Sequence, residues 1–135
     1  MPTLLGLAGV RIPQPMDGVS LVPTLRGGAG VIRDWLHLEH APCYSQEQAF
    51  HALTDGRGKY IWRPADGSEQ LFLLPDDPRE ERDLSRSAAH RTLVEQWRAR
   101  LVQRLAGRAE GFSDGTRLIP GRLYPALQAP QAAPQ

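Results

Sequence analysis

Cysteine is nearly absent. Cys43 stands alone in 135 residues, so no disulfide can close within the chain, and cysteine usage leaves the redox compartment open. Lysine is as scarce: Lys59 is the only one among sixteen basic residues, the rest being arginine. A surplus of one sign is also missing. Sixteen basic against fifteen acidic residues leave a net charge of +1, too weak a field to recruit nucleic acid or an anionic membrane. No run of about eighteen apolar residues occurs, so no segment is expected to span a bilayer as a helix. The first residues lack the basic segment and apolar core of a secretory signal. Localisation is therefore unassigned by the sequence.

What is present argues for a folded domain of ordinary size. A chain of 135 residues can bury about two-thirds of its unfolded surface, and an apolar fraction of 41% with three tryptophans favours a folded chain over a disordered one. The organising stretch runs from Ala49 to Leu74, AFHALTDGRGKYIWRPADGSEQLFLL, and reads as three short strands joined by two compact turns. Asp55 and Asp66 are turn formers, and Gly56, Gly58 and Gly67 are expected at positive φ. Tyr60, Ile61, Trp62, Leu71, Phe72 and Leu73 supply the bulky strand positions.

Residues 31–40, VIRDWLHLEH, read as a fourth strand with imperfect alternation, partly covered on both faces. Residues 75–87 read as a polar loop with one helical turn. From Ala88 to Leu105 the spacing of Leu93, Trp97, Leu101 and Leu105, widened by Val94 and Val102, predicts an amphipathic helix. Ser87 is its expected N-cap and Gly107 its terminating glycine. Each large residue of that stripe, if fully buried, contributes about 1.5–3 kcal/mol. At the other end, Pro2 opens a short helix stopped by Gly9, and a helical turn is expected around Val22 in a proline- and glycine-broken linker. The expected fold class is α+β: a small antiparallel sheet of about four strands packed against one long C-terminal amphipathic helix, with a short N-terminal helix and linker. The expected organisation is 1–30 helix and linker, 31–125 main unit and 126–135 disordered tail.

Five phrases in order, PTLLGLAGVRIPQPMDGVSLVPTLRG, RDWLHLEHAPCY, TDGRGKYIW, EQLFLLPDDPREERDLS and GFSDGTRLIPGRLY, resemble the C-terminal part of the sulfatases, an arylsulfatase-like family of the alkaline-phosphatase superfamily. The resemblance covers roughly residues 1 to 125. It implies a parent enzyme that hydrolyses sulfate esters with a formylglycine nucleophile and a divalent metal, calcium. It also implies that Met1 begins inside the parent's chain. The formylglycine precursor sits in a C-x-P-S-R context, whereas Cys43 lies in A-P-C-Y-S-Q. The metal-binding Asp and Asn motifs have no counterpart, so no cofactor is expected in this chain and the chain alone is expected to be inactive.

The resemblance places His37, His40 and Tyr44 at the edge of the parent's substrate pocket. Read without it, His37, Glu39, His40, Cys43 and His51 form a cluster of metal-capable types. In an extended strand, however, His37 and Glu39 face one side and His40 the other, so the plainer expectation is polar residues along a sheet edge. A Cys–His nucleophile pair has no placeable orienting residue. Lys59 is expected to lie along the sheet with its charge in solvent. The acidic run 76–83 lacks calcium-loop spacing, and G-F-S-D-G lacks the nucleophile-elbow form, its expected role being to seat Phe112. Leu4, Leu5 and Leu7 are candidates for self-association, which leaves a stand-alone interaction module as the competing class of function.

Overall fold

The computed structural model describes residues 1–14, 16, 18–28, 30, 32–42 and 45–122, in two compact units, Met1–Asp34 and Trp35–Gln135. The expected tail at 126–135 lies outside the described residues.

In the first unit, two short helices, α1 (Pro2–Leu7) and α2 (Val22–Leu25), each carry a proline in the first turn, where the missing N–H costs nothing. Thr3 Oγ1 accepts a hydrogen bond from the Leu21 amide at 3.0 Å. A Cβ on Gly6 would sit 3.2 Å from both Ser20 Oγ and a Val22 methyl, so the bare glycine is what lets these segments approach. Leu4 and Leu7 remain 64% and 57% exposed, while Leu5 is half-buried.

The second unit is a meander of four antiparallel strands in sequential order: β1 (Leu36–His40), β2 (Phe50–Thr54), β3 (Gly58–Trp62) and β4 (Glu69–Leu73). The first strand is shorter than the ten residues expected, for a reason visible in its register. Leu36 pairs with Thr54, the last residue of β2, so anything before Leu36 has no partner left to pair with. Both predicted turns form. Asp55 Oδ1 accepts from the amides of Arg57 and Gly58, and Asp66 Oδ1 from Ser68; Gly56 and Gly67 take positive φ.

Gly58 is a correction. It is the first residue of β3 and does not share the positive φ of its neighbours. A Cβ there would lie 3.0 Å from the Trp97 ring, so glycine is required by close approach rather than by a turn.

The helix is α3 (Arg91–Leu105), preceded by a 3-10 turn over Ala88–His90. Ser87 holds the N-cap position of that 3-10 turn, where the helical stretch begins as expected, but its side chain makes no capping bond. Its Oγ lies 3.0 Å from His90 Nδ1, and His90 takes the N-cap position of α3. Gly107 has positive φ just past the helix end. Val94, Trp97, Leu101, Val102 and Leu105 are buried. Four of them join Leu53, Tyr60, Trp62, Leu71 and Phe112 in one core between helix and sheet. Residues 75–87 make turns but no helical turn. They are held by Asp77, which accepts from the Glu81 and Arg82 amides, and by Asp83, which accepts from the Leu71 and Ser85 amides. Lys59 is not left in solvent: its Nζ sits 2.7 Å from Glu80 Oε2.

Candidate functional site

Strand pleat and register build a polar cluster at the β1 edge, on the face that α3 covers. Glu39 lies directly opposite His51 and His37 opposite Leu53. Leu53 in turn opposes Tyr60, and His51 opposes Trp62. With a period of two, His37, Glu39, His51, Leu53, Tyr60 and Trp62 all point to the same side. His37 Nε2 and His51 Nδ1 are 3.2 Å apart, and their rings stack with centroids 5.4 Å apart. Glu39 Oε2 is 3.7 Å from the same His51 Nδ1.

The end of α3 and the segment after it close this cluster from above. Arg104 Nε donates to His37 Nδ1 at 3.3 Å. Arg108 bridges two carboxylates, reaching Glu39 at 2.7 Å and Glu110 at 2.5 Å. Phe112 is buried, as expected, with its ring edge-on to His51 at 5.3 Å and to Trp62 at 6.0 Å. Burial, with the neighbouring His37 adding to it, pushes His51 down to about 4, and burial likewise lowers His37. Both imidazoles are therefore neutral at pH 7 and keep a lone pair. Glu39 is held below the usual carboxylate range, chiefly by its hydrogen bond to Arg108.

Of the three residues expected at a pocket edge, the structure does not bring His37 and His40 together. His40 points to the opposite face, its ring stacked on Phe50 at 5.6 Å. Tyr44, like Cys43, lies outside the described residues. His37, Glu39 and His40 do not converge on one metal, because His40 faces the other side of the sheet. The group that does converge takes its second imidazole, His51, from β2. Among the described residues, His37, Glu39 and His51 are the one group of three or more His, Cys, Asp or Glu side chains placed to converge on an ion; their ligand atoms all lie within 4.8 Å of one another. The sequence singles out neither Arg104, in the last turn of the helix, nor Arg108, just past its terminating glycine.

Fold and site together define a helix-roofed antiparallel meander, with a cluster of two histidines and a glutamate at one edge. No family model matches the chain. It is 34% identical to an arylsulfatase of Clostridium perfringens over 125 residues, 93% of this chain and 25% of that protein. It is 29% identical to a Delta 4,5-hexuronate-2-O-sulfatase of Bacteroides thetaiotaomicron over 107 residues, 75% of this chain and 21% of that one. Among solved structures, a sulfatase of Bacteroides thetaiotaomicron superposes with a TM-score of 0.70 at 27% identity, covering 77% of this chain and 23% of the other. A phosphonate monoester hydrolase of Agrobacterium radiobacter, at 23% identity and a TM-score of 0.57, covering 76% of this chain and 23% of its own, shares the fold. The chain is sulfatase-like, consistent with a C-terminal sulfatase fragment, and it spans about a quarter of the relatives it matches.

The calcium and formylglycine that the family implies do not fit the described residues. Calcium takes six to eight oxygen ligands, whereas the one converging group offers two imidazoles and a carboxylate. Cys43 lacks the C-x-P-S-R surroundings of a formylglycine precursor.

Proposed function

We propose that this chain is the C-terminal portion of an arylsulfatase-type enzyme, in which the meander and α3 help to wall the pocket where a sulfate ester is hydrolysed. Alone, it binds no formylglycine chemistry and does not turn over. The observation that carries this reading is the 34% identity spread over 93% of the chain but only a quarter of the relative. The nucleophile motif expected of the rest is missing from this sequence. His37, His40 and Tyr44 are proposed as residues bordering the substrate's organic group, and His40, facing away from α3, is the one open to a partner on that side. Incubating the purified chain with calcium and an aryl sulfate should give no release of the aryl alcohol above buffer. Measurable turnover, abolished by no other enzyme's inhibitor and retained through repeated purification, refutes the proposal.

A second reading has one specific support: Leu4, Leu7 and Leu25 are all more than half exposed, as in a module that docks a partner or a second copy. Sedimentation separates the two. A stable dimer that dissociates on Leu4→Ser and Leu7→Ser favours the module, and a monomer or open-ended aggregation favours the portion of a larger enzyme.

A further inference from the structure

We propose that His37, Glu39 and His51 form a binding site for a transition-metal dication of the zinc type at the β1 edge, with a ligand set unlike the oxygen shell that calcium takes.

The ligand atoms are His37 Nε2, His51 Nδ1 and Glu39 Oε2. Two of their separations are 3.2 and 3.7 Å. Around a tetrahedral zinc, with bonds of about 2.0–2.1 Å, neighbouring ligand atoms lie about 3.3–3.4 Å apart. The pair of strands thus holds two of the three edges near their liganded length. The remaining edge, at most 4.8 Å, closes by rotation of the Glu39 side chain, which is 39% exposed. Two imidazoles and one carboxylate suit zinc, copper, nickel or cobalt and not calcium or magnesium. Three protein ligands leave a fourth position for water, the arrangement of an open rather than a closed zinc site.

The surroundings favour the site in one way and oppose it in another. His51 is fully buried against Trp62 and Phe112, so its ring is fixed in orientation. Glu39 uses Oε1 and Oε2 with Arg108, but Arg108 also holds Glu110 and keeps a carboxylate when Glu39 turns Oε2 to the ion. Arg104 is the true competitor. An imidazole that ligates through Nε2 carries its proton on Nδ1, and a protonated Nδ1 no longer accepts the hydrogen bond that Arg104 Nε makes there. Metal entry therefore requires Arg104 to swing away, and this arginine sets the affinity of the site.

The test is a titration of the tag-free, chelator-treated chain with cobalt(II), followed by d–d absorption, and with zinc(II), followed by calorimetry. One ion per chain is expected, with a cobalt spectrum of low coordination number. His37→Ala and Glu39→Gln should each weaken binding by at least about tenfold. Both sit on the exposed edge strand, so circular dichroism should show them folded where His51→Ala risks failing to fold. Arg104→Ala should tighten binding several-fold, an effect no purely structural role predicts. His40→Ala, on the opposite face, should bind as the unchanged chain does. Absence of stoichiometric binding up to millimolar metal overturns the proposal. So does binding that is indifferent to His37→Ala and Glu39→Gln, which would place the ion on other side chains. The outcome is independent of whether the chain proves to be part of a sulfatase.

Discussion

Two polar clusters lie on the same helix-covered face of the sheet, one toward each edge, and each recruits an arginine from α3. Toward β4, Tyr60 donates to Glu69 Oε1 at 2.5 Å, and Arg98 clasps the same carboxylate through Nε and Nη2 at 2.5 and 2.7 Å. Burial works to raise the Glu69 carboxyl, but the Arg98 and Tyr60 hydrogen bonds outweigh it and hold it below its ordinary value. Tyr60 is pushed far up, by burial first and then by its bond to Glu69. One cation meets one anion, and the Tyr60 hydroxyl donates to the same Oε1 that Arg98 Nε binds. At the β1 edge the cation from α3 meets a neutral imidazole instead, and two ring nitrogens and a carboxylate oxygen converge. The first cluster is complete in itself and serves to seal the core; the second is arranged around a position that a ligand can take. The contrast shows that composition alone, an arginine, a glutamate and aromatic rings in both, does not separate structure from function. Pairing does.

Because one helix supplies both arginines, removing its anchor should damage both clusters at once. Trp97 is 2% exposed and sits on bare Gly58. Trp97→Ala should cost about 3–5 kcal/mol, read from urea unfolding, and metal binding should fall together with stability. A variant that loses less than about 1 kcal/mol would mean that α3 is held by other contacts and that the two clusters are independent.

The sheet was legible because its turn chemistry is explicit: T-D-G-R-G and P-A-D-G fix two hairpins, and the Leu93 to Leu105 spacing fixes the roof. Two misreadings have local physical causes. Sequence groups Gly58 with the turn glycines because it shows a glycine's neighbours along the chain and not the Trp97 ring that crosses it. Sequence leaves Lys59 in solvent because its partner, Glu80, is twenty-one residues away in a loop, and takes a positive φ that a glutamate rarely adopts. The β1 cluster was half legible. Alternation put His37 and Glu39 on one face, but the nine residues between β1 and β2 leave the register free, and only the register sets Glu39 against His51. That pairing could not be counted from the sequence.

The β4 cluster predicts an acid-sensitive contribution that the comparison can use. Glu69 has a folded pKa below its ordinary value of 4.5, so the unfolded state takes up its proton first as pH falls. Its stabilisation is whole above about pH 4.5 and fades below it. Glu69→Gln should cost about 1–2 kcal/mol at pH 7. That is below the full value of a buried charged hydrogen bond, since Arg98 is 40% exposed and its half of the pair is screened by water. The deficit should shrink as pH drops below 4.5, so the difference between the two unfolding curves, measured at pH 7 and pH 3, is the readout. A deficit that stays constant over that range would mean that Glu69 acts through packing and not through its charge.

The smallest effect is the sharpest contrast. Arg98 and Arg104 lie on the same helix six residues apart, both reaching down to the sheet, but only Arg98 meets a charge. Arg98→Ala strands Glu69 beside a buried Tyr60 hydroxyl and should cost about 1–2 kcal/mol. Arg104→Ala removes one long, 3.3 Å hydrogen bond to a neutral ring and should change stability by no more than about 0.5 kcal/mol. Unfolding of the two variants side by side checks this directly. Equal costs would mean that Arg104 is as much a part of the fold as Arg98, and the β1 cluster would then be a second structural seal rather than an open site. Unequal costs leave Arg104 as a side chain held near the histidines without paying for the fold, which is what a displaceable guard at a ligand site requires.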